Sequence, residues 1–500
     1  MRRSYATIGA IFGVLIIGLF IGGIWVDQSK NEKVAHEMKQ EEVATSLEFD
    51  VDTIQIELSQ GYDGFEGWGT SLAWWGHIVG QWKDGSKYNE VMDLVFDSEK
   101  GLGFNIVRYN IGGGENPGIP STLRPGGDVP GFQPEEGVWD WEADPGQRRV
   151  LLDALERGAD IAEAFSNSPP YWMTISGSVT GAEGGGNNLK DEYYDAFADY
   201  LTEVVRNYKE RYGITFRTLN PLNEPSSNWW VLGNKQEGAH FSLEKQMEII
   251  KKTAASLGSK GLSAVSISAP DGNSIDETVE ALKVYDDDTL RVVSQVNTHS
   301  YHGMQLVELR ELTDRAGKKL WMSEFGAGGT EPHNHDDLSS VMELAERVIF
   351  DLRLLQPAAW VYWQAVEDEG ARNNWGFIHS DFSVDGHYEM TKQYYGMAQF
   401  SKFIRPGSRI LFTSSGHSVA AYDADSKQLS IVLRNKGSNK THSFDLSAFQ
   451  YSARSAEIYV TSMLKNMDAG QVQLYDNGFM IEAEPESITT IVISDIKIHQ

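Results

Sequence analysis

Residues 216–225 read FRTLNPLNEP, a short apolar and β-branched run that ends in asparagine, glutamate and proline. The same texture recurs along the chain. Comparable runs stand at 64–75 (GFEGWGTSLAWW), 103–114 (GFNIVRYNIGGG), 160–172 (DIAEAFSNSPPYW), 264–272 (AVSISAPDG), 292–302 (VVSQVNTHSYH), 319–326 (KLWMSEFG) and 358–366 (AAWVYWQAV). Helical patterns lie between several of them, as in DEYYDAFADYLTEVVRNYKERYG (191–213) and SLEKQMEIIKKTAASLGSKG (242–261). The second closes on a glycine suited to a helix C-terminus. Eight strands alternating with helices predict an α/β chain built on a (β/α)8 TIM barrel, with its site where the strands end.

Outside 59–407, the expected barrel, the texture changes. Residues 408–500 hold short alternating strands such as QLSIVLRNKG, SAEIYVTSM and SITTIVISD with turns between them, which predicts a C-terminal side β-sandwich domain. An N-terminal strand at 46–58 is expected to join it, since the barrel needs no ninth strand. Residues 27–45 are polar and read as a tether. Residues 1–26 carry two arginines and then an apolar run from Ala6 to Val26, long enough for a membrane span. This reads as a signal peptide or an N-terminal membrane anchor, with the anchor favoured because no small-x-small site directly follows the run. Either way the rest of the chain is exported, to be secreted or held at the extracellular face of the membrane.

Forty-three basic against seventy-one acidic residues give a net charge of −28, which argues against a nucleic-acid partner. With no cysteine, disulfides and thiolate metal sites are excluded. His299 and His302 flank Tyr301, but no carboxylate or third histidine stands at ligand spacing, so no metal is predicted. The glycines at 112–114 and 184–186 lack a nucleotide-binding context, and no cofactor is expected. Fourteen tryptophans and twenty tyrosines supply flat apolar faces of the kind that stack on sugar rings.

Glu224 ends the fourth barrel run and Glu324 the seventh, so both carboxylates can face one cleft across the barrel mouth. Glycoside hydrolysis needs such a pair, one to protonate the leaving oxygen and one to attack the anomeric carbon or activate water. Asn223, directly before the first acid, can hydrogen-bond a substrate hydroxyl. Trp74, Trp75, Trp229, Trp230, Asn374 and Trp375 fall in loops over the barrel mouth, where aromatics extend a cleft for a polymer.

The stretches GWGTSLAWW, NIVRYNIGGG, SNSPPYWM, NEP and QFSKFIRPGSRI together resemble glycoside hydrolase family 30. GTSLAWW and NSPPYWMTISGSVTG are most similar to its endo-β-1,6-galactanase branch. The resemblance runs from about residue 48 to the end. It implies a barrel with a side β-domain built from both termini, and a retaining double displacement. In that scheme Glu224 is the acid/base and Glu324 the nucleophile. Arg108 lies near the nucleophile and keeps it ionised, while Glu224 needs a raised pKa. Asn223 contacts a sugar hydroxyl, and Trp172, Tyr301 and Trp363 wall the subsite of the reacting sugar. The substrate so implied is β-1,6-linked galactan. A monomer that touches the membrane only through its N-terminal segment is expected. A β-1,6-glucanase, a xylanase, a glucosylceramidase-like enzyme and a non-catalytic carbohydrate-binding barrel stay open.

Overall fold

The computed structural model describes residues 52–329, 334–370 and 375–499. The apolar N-terminal run, the tether and Asn374 lie outside them. Among the described residues no helix is long and apolar enough to cross a membrane.

The first strand, β1 (Asp52–Tyr62), belongs to the side domain. Eight parallel strands then close a barrel: β2 (Gly67–Ser71), β3 (Ile106–Asn110), β4 (Ile161–Phe165), β5 (Thr218–Asn220), β6 (Ser266–Gly272), β7 (Val293–His299), β8 (Lys319–Glu324) and β9 (Ala359–Gln364). Each falls within one of the eight runs read from the sequence. The ring shuts through β2 against β9, with Gly67 opposite Ala359 and Thr70 opposite Tyr362.

Helices cover the barrel, and their ends follow local chemistry. The helix Tyr194–Tyr212 stops at Gly213, whose φ of 70° suits a residue without Cβ. Ser242 caps Leu243–Ser259 by accepting from the Lys245 amide, and Gly261 takes the left-handed position just past its end.

The side domain is a nine-stranded sheet in which β1 is an interior strand. β1 runs antiparallel to Arg409–Thr413 and, through residues 52–55, parallel to Lys440–Asp445. The two portions that it joins enclose a core of Ile54, Leu411, Ile431, Phe444, Phe479 and Ile491. Alternation then sorts the other face onto the barrel. Leu429, Ile431 and Leu433 point into the sandwich, whereas Val432 between them packs with the barrel core, as do Val419, Ala421 and Ile488.

Candidate active site

The barrel interior is polar. Glu163 of β4 is fully buried and accepts from Arg108 Nε (2.8 Å), Thr218 Oγ1 (2.7 Å), Ser268 Oγ (2.8 Å), Gln295 Nε2 (3.1 Å) and Asn297 Nδ2 (2.8 Å). Five donors from four strands leave this carboxylate no unmet need. It fixes Arg108, whose Nη2 reaches Asp271 Oδ2 at 2.6 Å and whose Nη1 donates to the Ser323 carbonyl at 3.1 Å. Burial works against the guanidinium's charge, but Asp271, Glu163 and Glu324 outweigh it and hold its pKa up.

Above this layer sit the two acids. Glu324 is the last residue of β8, and Glu224 follows β5 with φ at 46°, its amide donating to the Asp271 carbonyl at 2.9 Å. Between them lies His299, the last residue of β7, fully buried. Its Nδ1 is 3.1 Å from Glu224 Oε1 and 3.5 Å from Glu324 Oε1, and its Nε2 is 3.3 Å from Asp271 Oδ1. Burial alone would push the imidazole down, yet Glu324 and Asp271 raise it to about 10. The ring is therefore a cation at neutral pH.

Sequence spacing had placed no carboxylate near His299; folding brings three. Donor atoms of Glu224, His299 and Glu324 lie within 4.8 Å of one another. A protonated imidazole with both nitrogens facing carboxylates offers a metal no lone pair, so the cluster reads as an internal ion-pair lattice.

Glu324 departs from the expectation that Arg108 keeps it ionised. Burial, together with the Glu224 charge, raises its pKa to about 7 against the pull of His299 and Arg108. The reason is geometric: Arg108 spends its donors on Glu163, Asp271 and Ser323, and its Nη1 comes only within 3.7 Å of Glu324 Oε2. Tyr301 donates its hydroxyl to Glu324 Oε1 at 3.0 Å, while Oε2 accepts no hydrogen bond.

The acids open into a cavity of about 320 Å³ walled by Trp74, Trp229, Trp230, Tyr301, Trp363 and Trp375, with Asn167, Asn223, Gln236, Glu237, Asn273 and His302 as polar members. Trp74 and Trp363 meet edge to face at 5.0 Å. Trp230 is buried because Gly238 lets its ring lie on bare backbone: a Cβ there would come within 2.1 Å of the indole. Its Nε1 donates to the Glu224 carbonyl at 3.0 Å, tying the wall to the acid.

Three residues expected at the site do not line the cavity. Trp75 is wholly buried, donates to the Ser71 carbonyl and stacks on Phe96, because the chain enters a short helix, Trp75–Val79, directly after β2. Trp172 is half-buried and packs edge to face on Tyr193, with its Nε1 on the Gln133 carbonyl; it does not line the cavity. Arg108 lies beneath the acids and meets the cavity only through them. Conversely, Asn273, whose Nδ2 donates to Glu224 Oε1 at 2.6 Å, Asp271 and Glu237 carried no signal in the sequence beyond their nearness to strand ends or to the acid's own loop.

This geometry agrees with what related proteins are. The profile of O-Glycosyl hydrolase family 30 matches residues 51–304. An endo-beta-1,6-galactanase of Hypocrea rufa is 33% identical over 415 residues, covering 79% of this chain and 83% of that protein. An exo-beta-1,6-galactobiohydrolase of Bifidobacterium longum subsp. longum is 24% identical, over 84% of this chain and 37% of that longer protein. In fold, the catalytic domain of a glycoside hydrolase family 30 xylanase C from Talaromyces cellulolyticus matches with a TM-score of 0.68 at 19% identity, covering 89% of this chain and 100% of that one. Two acids in an aromatic cleft and the similarity over most of the chain thus lead to one conclusion: this chain is a glycoside hydrolase and belongs to O-glycosyl hydrolase family 30.

Proposed function

We propose that the chain is an exported enzyme that cuts β-1,6-linked galactan internally and with retention of anomeric configuration. The observation that carries retention is the closeness of the acids: one carboxylate oxygen of Glu224 and one of Glu324 lie within 4.8 Å of each other. Retaining enzymes hold their carboxyl groups about 5 to 5.5 Å apart, and inverting ones leave about 6.5 to 9.5 Å for a water. In the first step Glu324 Oε2 bonds to the anomeric carbon as the glycosidic C–O bond breaks, and Glu224 passes its proton to the departing oxygen. In the second, Glu224 takes a proton from water, whose oxygen bonds to the anomeric carbon and releases Glu324. Tyr301 stabilises the carboxylate form of Glu324 by donating to it. Asn273 and His299 hold the Glu224 carboxyl in place.

Galactan as substrate is supported by the relative from Hypocrea rufa, and export by the apolar run at 6–26. Digesting β-1,6-galactan, β-1,6-glucan and xylan and sizing the products tests the substrate: short β-1,6-galacto-oligosaccharides are expected. Turnover of xylan or β-1,6-glucan alone would overturn it. Proton NMR of fresh product tests retention, with the β-anomer expected first.

A further inference from the structure

Glu237 is a third acid of the cavity, and the two-carboxylate chemistry does not use it. It is 2% exposed and lines the cavity beside Glu224 and Glu324. Its Oε1 accepts from the Gly113 amide at 3.2 Å, in the loop after β3; the Asn110 side chain lies close enough to influence the carboxyl, but Oε2 makes no well-formed hydrogen bond. Three further polar atoms of the same walls are buried and unpartnered: Trp74 Nε1, Asn167 Oδ1 and Asn223 Oδ1. Leaving such groups unmet costs a fold stability, so their concentration in one cavity needs a cause. A ligand that brings its own hydroxyls supplies one.

On this ground, and resting on the glycosidase reading above, we infer that Glu237 is a specificity-determining residue that hydrogen-bonds a hydroxyl of the sugar bound beside Glu224 and Glu324. The charge of the site agrees. Burial pushes the Glu237 carboxyl well above the usual range, Asp128 and Glu115 add to that, and the Gly113 amide and the Asn110 side chain pull only partly back. A neutral carboxyl both donates and accepts, as a sugar hydroxyl does, so the two match without a counter-ion. Among the described residues that line the cavity there is no lysine or arginine to call for a carboxylate. The indole N–H of Trp74 and the amide oxygens of Asn167 and Asn223 supply one donor and two acceptors for neighbouring hydroxyls.

The test compares Glu237→Gln and Glu237→Ala with the wild type on β-1,6-galactotetraose. The alanine variant is expected to lose on the order of 10- to 100-fold in kcat/KM when assayed well below its melting temperature, which the unmet Gly113 amide lowers by roughly a few degrees. The glutamine variant, which keeps an acceptor for Gly113 and a donor for the sugar, is expected to lose less than about tenfold. Calorimetric binding of the tetraose to Glu324→Gln, with and without Glu237→Ala, reads affinity apart from turnover and should weaken in step. Unchanged kcat/KM in Glu237→Ala overturns the inference. So does a loss of turnover with no loss of tetraose affinity, since Glu237 would then serve only to hold the Gly113 loop. If the wild type ignores the tetraose, the galactan reading falls. The Glu237 inference is then decided by the same comparison on the tetrasaccharide that the enzyme does cleave.

Discussion

His299 stands between three carboxylates and owes its charge to them, which ties the stability of the protein to pH. Its folded pKa of about 10 lies above the ordinary 6.5, so its contribution is whole below about pH 6.5 and is lost as pH rises through 10. Glu324, raised to about 7 from 4.5, acts in the same direction over a lower window. Melting temperature is therefore expected to fall from pH 6.5 to 10. His299→Gln should flatten that fall by about 2 °C or more in differential scanning calorimetry. A variant as steep as the wild type would rule His299 out as the source. For the acids, Glu324→Gln and Glu224→Gln are each expected to cut kcat on a polysaccharide by about a thousandfold or more without a matching fall in melting temperature. The pair was legible in the sequence because each acid ends a recognisable strand. Glu163, Asp271 and the charge on His299 were not, since those roles depend on partners that come from three or four different strands.

At the scale of elements, β1 shows what a chain read alone conceals. Its alternation announced a strand, yet not that it extends to Tyr62 or takes an interior place in the side sheet. Its pairing with Arg409–Thr413 shifts register between Glu57 and Gly61, and Gly61 has a φ of 132°. A Cβ there would come within 2.1 Å of the Ile410 carbonyl oxygen, so only glycine fits. Gly61→Ala is expected to destabilise by about 1 to 3 kcal/mol in denaturant unfolding. Ile54→Asp, which puts a carboxylate into the sandwich core, should cost more, about 3 kcal/mol or above. The eight barrel strands were easier to read, each being a short apolar run with polar residues at its end. The helix entered at Trp75 was not, and so a core tryptophan passed for a cleft residue.

The barrel and the side sheet share apolar contacts through Val419, Ala421, Val432 and Ile488, so the two parts stabilise one another. A fragment ending at residue 407 would expose that surface and is expected to aggregate, whereas the intact protein should unfold in a single calorimetric transition. Two well-separated transitions would show that the contacts do not couple the parts. Chain order carries little of this coupling, because the face that Val432 adopts is decided by strand register. The lattice of Glu163, Arg108, Asp271 and His299 has its own consequence for the reaction coordinate. Each of these four side chains is held by at least one neighbour before any sugar arrives. Charge can then move between Glu224 and Glu324 with little nuclear rearrangement around it, so the reorganisation that water would undergo at each turnover is completed once, when the chain folds.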